Sequence, residues 1–245
     1  MNSSGPLNGQ VALITGAGSG IGAALAAQLA DAGMAVLLVG RRRGPLDDQV
    51  AIITAHGGRA AARSADVRDF AALEAAVAEA IGIFGRLDVL VANAAIADFG
   101  PIESADPALW EDVIRTNVLG VLYAVRAALP HLSAQGSGHV VIVSSASGRD
   151  TYVGEPAYIA SKHATVAFAD SLRKEVAPRG IRVTIVEPGL VETPLIHVYP
   201  GADALVPGVI PLDPREVAAV IRFALERPAG VDLFEVVVRP TNQVP

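Results

Sequence analysis

Apolar residues fall into two alternating kinds of run. Val11 to Ile14, Val36 to Val39, Val89 to Val91, Val140 to Val143, Val183 to Val186 and Phe234 to Val238 are short, aliphatic and β-branched, as strands buried on both faces are. Arg59 to Arg63 is a weaker strand of the same kind. Between them, Ile21 to Ala32, Leu46 to Ala55, Phe70 to Ile81, Pro107 to Leu132, Ala157 to Ala177 and Pro214 to Leu225 are longer, and their spacing predicts helices. Strand and helix in alternation is the pattern of βαβ units, so the expected fold is α/β. It is a single doubly wound domain over 1–245, with a parallel seven-stranded sheet and helices on both faces. The connectors are short and carry no repeat or low-complexity linker.

From Gly189 through Pro214 the pattern stops: five prolines, Pro214 included, and scattered apolar residues give no period. A long irregular stretch in a compact domain is usually functional, so about 190–213 is expected to be a substrate loop or lid.

With 51% apolar residues and a mean hydropathy of +0.43, the 245-residue chain can bury a large core. Nineteen basic and 25 acidic residues leave a net charge of −6, which argues against nucleic acid or an anionic membrane as partner. No cysteine is present, so thiol catalysis and thiolate metal sites are excluded, and the five histidines show no ligand spacing; no metal is expected. The first residues lack a signal peptide's basic start and apolar stretch, so the expected location is cytoplasmic.

Thr15-Gly16-Ala17-Gly18-Ser19-Gly20-Ile21-Gly22 follows the first strand and opens the first helix. Glycines there let the backbone turn sharply and approach a pyrophosphate, which the free N–H groups of the helix start hold. In this context the segment predicts a dinucleotide site on a Rossmann-type domain, with Gly16, Ser19, Gly20, Ile21 and Gly22 at the phosphates. At the end of the second strand an acidic residue would favour NAD, whereas guanidinium groups suit a 2′-phosphate. Gly40 and Arg41-Arg42-Arg43 stand there, so Arg41 and Arg42 are expected to select NADP. A merely solvated arginine turn is the alternative.

Tyr158 and Lys162 are four residues apart in a predicted helix, so phenol and ammonium share a face. A free tyrosine has a pKa of ~10, and a fixed cation beside it favours the phenolate. The pair is expected to handle a proton, with Lys162 drawing the Tyr158 pKa down. Ser145 lies thirteen residues earlier, flanked by Ser144 and Ser147, and Asn117 lies mid-helix, where Asn is slightly unfavourable.

On these residues the chain resembles the short-chain dehydrogenase/reductase family over nearly its whole length. Thr15 to Gly22 is similar to its TGxxxGIG turn, and Ala92-Asn93-Ala94-Ala95 to its NNAG, with Ala92 and Ala95 departing from the pattern. Asn117, Ser145, Tyr158 and Lys162 match its catalytic tetrad. The resemblance implies that Asp66 and Val67 hold the adenine ring. It also puts Asn93, Tyr158 and Lys162 on the cofactor, and Pro188, Gly189, Val191 and Thr193 on the nicotinamide loop. The family's Gly-Gly near the C-terminus is missing. The ending Val237 to Gln243, with Glu187-Pro188-Gly189 and Gly40-Arg41-Arg42, resembles NADP-dependent 3-hydroxy acid and serine dehydrogenases.

The family implies hydride transfer between NADP(H) and a small alcohol or carbonyl compound. Tyr158 would be the general acid or base, Ser145 would hold the carbonyl oxygen, and Lys162 would bind the nicotinamide ribose. Asn117 would anchor a water. A homotetramer or homodimer is expected. A non-catalytic NADP-binding sensor is the alternative; a sugar-nucleotide epimerase or dehydratase would carry a larger C-terminal domain. For the substrate, Arg149 is a candidate carboxylate clamp, unless it pairs with Asp150. Leu190, Val191, Leu195 and Ile196 point instead to a hydrophobic ketone.

Overall fold

The computed structural model describes residues 5–198 and 208–243. The strands are β1 (Val11–Thr15), β2 (Ala35–Gly40), β3 (Arg59–Ser64), β4 (Val89–Ala92), β5 (Gly138–Val143), β6 (Ile181–Pro188) and β7 (Glu235–Val238). They form one parallel sheet in the order β3-β2-β1-β4-β5-β6-β7. The chain winds outward from β1 to one edge and then returns to β4. That puts the topological switch, where such sheets bind ligands, between β1 and β4.

The helices are α1 (Gly20–Asp31), α2 (Arg43–Ala55), α3 (Phe70–Phe84), α4 (Pro107–Ile114), α5 (Gly120–Gln135), α6 (Pro156–Val176) and α7 (Pro214–Leu225). Two cores flank the sheet. Leu13, Leu90, Val140 and Ile142 pack with Leu73, Val121 and Leu172 of α3, α5 and α6. Ile14, Val91, Val141 and Val143 pack with Leu25, Ile53 and Val217 of α1, α2 and α7. Burial on both faces makes the inner strands continuously aliphatic. Edge strand β3 has exposed ends at Arg59 and Ser64, which is why its pattern is weak.

The helix expected from Pro107 to Leu132 is not one helix. It is α4 and α5 joined by a π-helical turn, Arg115–Leu119, centred on Asn117. Such turns occur where a side chain is needed off the regular face, often at functional sites. The rod Pro107–Gln135 has the length and composition to cross a membrane, but Val113, Val121, Val125 and Leu132 lie in the core.

The irregular stretch after β6 is pinned at its ends. Val191 bridges Leu212, with Glu192 N donating to Leu212 O (2.8 Å) and Leu212 N to Leu190 O (2.9 Å). Residues 199–207 of the expected lid lie outside the described residues.

Candidate active site

A cavity of about 700 Å³ follows the C-terminal ends of the strands, from the turn after β2 to the loop after β6. At the switch point Asn93 interlocks with the glycine turn. Its Nδ2 donates to the carbonyls of Thr15 (3.0 Å) and Gly16 (3.3 Å), while the Thr15 hydroxyl accepts from Asn93 N (3.0 Å) and Ala94 N (3.1 Å). Asn93 therefore lines the cavity but spends its amide on shaping the turn. A Cβ at Gly16 would lie 2.8 Å from Ala94 Cα, and one at Gly22 2.5 Å from the Gly16 carbonyl oxygen, so neither position has room for a side chain.

α1 starts at Ser19 without a side-chain cap, whereas Asp69, Asp106 and Asp213 cap α3, α4 and α7. Its first N–H groups are thus left for an anion. Ser19, Gly20 and Ile21 line the cavity there. Thr193 stands over the same point, 3.0 Å from where a Cβ of Gly20 would be. Arg41 and Arg42 also line the cavity, and among the described residues neither guanidinium is paired with a carboxylate. Arg43, in contrast, is tied to Asp47 (2.7 Å) and the Ala62 carbonyl (2.9 Å). Asp66 and Val67 are in the wall, and Arg68 grips the Asp66 carboxylate (2.7 Å), holding it below the usual carboxylate range.

The chemistry-bearing group gathers at the ends of β5 and α6. Tyr158 and Lys162 are 8% and 3% exposed, and both line the cavity with Ser145. Lys162 Nζ donates to the Val143 carbonyl (3.2 Å) and lies 5.4 Å from the centre of the Tyr158 ring. The three serines separate by partner. Ser144 binds the Lys162 carbonyl (3.3 Å) and Thr165 (3.0 Å), Ser147 donates to Glu155 (3.3 Å), and Ser145 accepts from Ser147 N (3.1 Å) and shares the cavity wall with Tyr158. Asn117 accepts from Ile96 N (2.9 Å) and donates to Ile96 O (2.8 Å) and Ser161 Oγ (3.0 Å). It thereby locks the loop after β4 to the helix turn that carries Lys162.

Burial pushes the Tyr158 phenol up to about 12, against the pull of its Ser145 hydrogen bond, and takes Lys162 down to about 8. The expected lowering of Tyr158 by Lys162 is therefore not seen: burial of the phenol dominates, and Lys162 is not among the causes that act on it.

The Arg149 clamp is also corrected. Arg149 is bound to Glu187, fully buried on β6 (3.2 Å), and to Glu235 (2.5 Å) on β7; it is neither paired with Asp150 nor part of the cavity wall. Asp150 is held by Arg239 (2.6 Å). Pro188, Gly189, Val191 and Thr193 line the cavity. Wall residues that the sequence did not single out include Phe99, whose ring lies 5.7 Å from that of Tyr158, Glu155, and Gln243, which accepts from Leu190 N (2.8 Å). Only the acid at the start of the Tyr158 helix left a signal in the sequence.

The family model described as short chain dehydrogenase matches residues 10–200. The chain belongs to the short-chain dehydrogenase family. It is 36% identical over 234 residues to an uncharacterized oxidoreductase of Staphylococcus haemolyticus, covering 96% of this chain and 98% of that one. It is also 36% identical over 244 residues to glycine betaine reductase of Emericella nidulans, covering 98% of this chain but only 19% of that much longer protein. Among solved structures, a metagenomic short-chain oxidoreductase in complex with NADP superposes with a TM-score of 0.84 at 31% identity, covering 97% of this chain and 99% of the other. An alcohol dehydrogenase from Thermococcus sibiricus complexed with 5-hydroxy-NADP gives 0.86 at 28% identity, covering 96% and 98%. This short-chain dehydrogenase thus shares its seven-stranded fold with oxidoreductases that bind NADP.

Proposed function

We propose that the chain is an NADP-dependent oxidoreductase that interconverts a small alcohol and its carbonyl compound. The observation that carries this reading is that Ser145, Tyr158 and Lys162 stand together in the wall of the cavity whose other end has the glycine turn and Arg41 and Arg42, which have no carboxylate partner among the described residues. The residues fit NADP: the uncapped α1 start and Gly16, Gly20 and Gly22 suit the pyrophosphate, and Arg41 and Arg42 suit the 2′-phosphate. When bound, the cofactor supplies or removes a hydride at the carbonyl carbon.

The chain's own groups manage the oxygen and the proton. Tyr158, neutral at pH 7, donates its proton to the carbonyl oxygen in reduction and takes it back in oxidation. Ser145 donates a hydrogen bond to the same oxygen, where negative charge develops. A charged Lys162 beside the phenol makes the departure of the proton less costly. Asn117 holds Ser161, and so the Lys162 turn, in place. Support for the cofactor comes from the NADP named in one structural neighbour and the 5-hydroxy-NADP named in another. Initial rates with NADPH and NADH over a panel of ketones, aldehydes and 3-oxo acids test the proposal. NADPH oxidation by at least one carbonyl class, faster than with NADH, is expected; none by any class overturns it.

A further inference from the structure

Three carboxylates are buried among the described residues: Asp88, Glu155 and Glu187. Asp88 is paired with Arg86 (2.6 Å) and accepts from Val11 N (2.9 Å), and Glu187 is paired with Arg149. Among the described residues Glu155 has no such cation, and its carboxylate accepts there from the Ser147 hydroxyl at 3.3 Å. The nearby guanidiniums are committed elsewhere, Arg149 to Glu187 and Glu235 and Arg239 to Asp150. A carboxylate taken out of water without a cation is costly, so an unpaired one beside a cavity is a place for a charge from outside.

Of the three, Glu155 alone lines the cavity. It lies one helical turn before Tyr158, in the same cavity wall as Tyr152 and Tyr158; burial raises its carboxyl, and burial first, with the Glu155 charge as a smaller cause, raises both phenols. Phe99, Tyr152 and Tyr158 supply aromatic walls there. Aromatic faces beside a carboxylate are the chemistry that holds an alkylated ammonium. The other charged wall residues are Lys162, which serves the proton transfer, and Arg41, Arg42 and Asp66, which lie at the β2 and β3 edge.

We propose that this pocket selects alcohols and carbonyl compounds carrying a cationic nitrogen, amino or quaternary ammonium, with Glu155 as the counter-ion that sets specificity. The proposal rests on the alcohol–carbonyl reading of the site, and it replaces an anionic substrate clamped by Arg149 with a cationic one.

The test is calorimetric binding to the NADP-loaded protein of 2-hydroxyethyl-trimethylammonium and its neutral carbon isostere 3,3-dimethylbutan-1-ol. Wild type is expected to bind the cation at least about tenfold tighter, about 1.4 kcal/mol. Glu155→Gln should erase that preference while leaving the affinity for the neutral alcohol within about twofold. Equal binding of the two by wild type, or binding of neither, overturns the proposal without reference to any variant. A preference that survives in Glu155→Gln overturns the role of Glu155. Turnover of a neutral aldehyde is measured separately: if it proceeds and the cation is not preferred, the oxidoreductase reading stands and only this inference falls.

Discussion

Lys162→Met is expected to stabilise the fold while destroying its activity. The lysine is 3% exposed, has no carboxylate partner among the described residues, and has its pKa lowered by burial from 10.5 to about 8. At about 1.4 kcal/mol per pH unit, keeping it charged in the folded protein at neutral pH costs roughly 3 kcal/mol relative to the unfolded chain. Methionine matches the stem but loses the hydrogen bond to the Val143 carbonyl, worth about 1 kcal/mol. The net gain is about 2 kcal/mol, or a Tm higher by about 4–8 °C for a chain of this size. The sign follows from the depressed value. Below pH 8 the ammonium is charged in both states and its burial penalty is fully present. Between pH 8 and 10.5 the unfolded chain binds more protons, so wild-type stability rises with pH and the advantage of methionine shrinks. The Tyr158 phenol, raised to about 12, ionises in the unfolded chain near pH 10, so at the upper end of this window it lowers the stability of both proteins alike and leaves their difference unchanged. Differential scanning calorimetry of both proteins at pH 7 and pH 9.5 checks it. A variant no more stable than wild type at pH 7 would refute the burial argument.

Gly40→Asp with Arg41→Ala should raise the KM for NADPH far more than that for NADH. A Cβ at Gly40 meets only Leu46 at 3.5 Å, so the aspartate fits; a wild type that already prefers NADH contradicts the cofactor assignment. Asn117→Ala leaves the Ile96 N–H and carbonyl without their partner and should cost about 2–3 kcal/mol in urea unfolding as well as activity. An unchanged midpoint would show that the π-helical turn does not depend on it. Arg149→Ala should change turnover of a 3-oxo acid and of its neutral ester alike, because the guanidinium serves Glu187 and Glu235 rather than a ligand. Selective loss on the acid would restore the clamp. Light scattering at micromolar concentration should give a homotetramer; a monomer refutes the assembly expected from the long Ala-rich helices.

The sheet was legible because its inner strands are buried on both faces, which forces aliphatic runs that no solvent-facing pattern interrupts. Gly16 and Gly22 were legible for a related reason: a close backbone approach leaves glycine as the residue that fits. The π-helical turn was not, since helical spacing continues on both sides of it and the distortion comes from Asn117 reaching Ile96 and Ser161. Ser144, Ser145 and Ser147 are equivalent in composition, and only the packing of α6 against the end of β5 assigns each its partner. Arg149 was misread because Glu187 and Glu235 lie on other strands, far along the chain. The expected lowering of Tyr158 failed because the +4 spacing reports the neighbouring cation but not the burial of both groups.

The central claim is that Tyr158 transfers the proton in a site that binds NADP without it. The most direct measurement compares wild type and Tyr158→Phe for NADPH affinity by fluorescence titration and for kcat on the best carbonyl substrate of the panel. The account predicts an NADPH Kd within about twofold of wild type and a kcat lower by about 10²–10⁴-fold. A phenylalanine variant that keeps kcat within about threefold of wild type would contradict it.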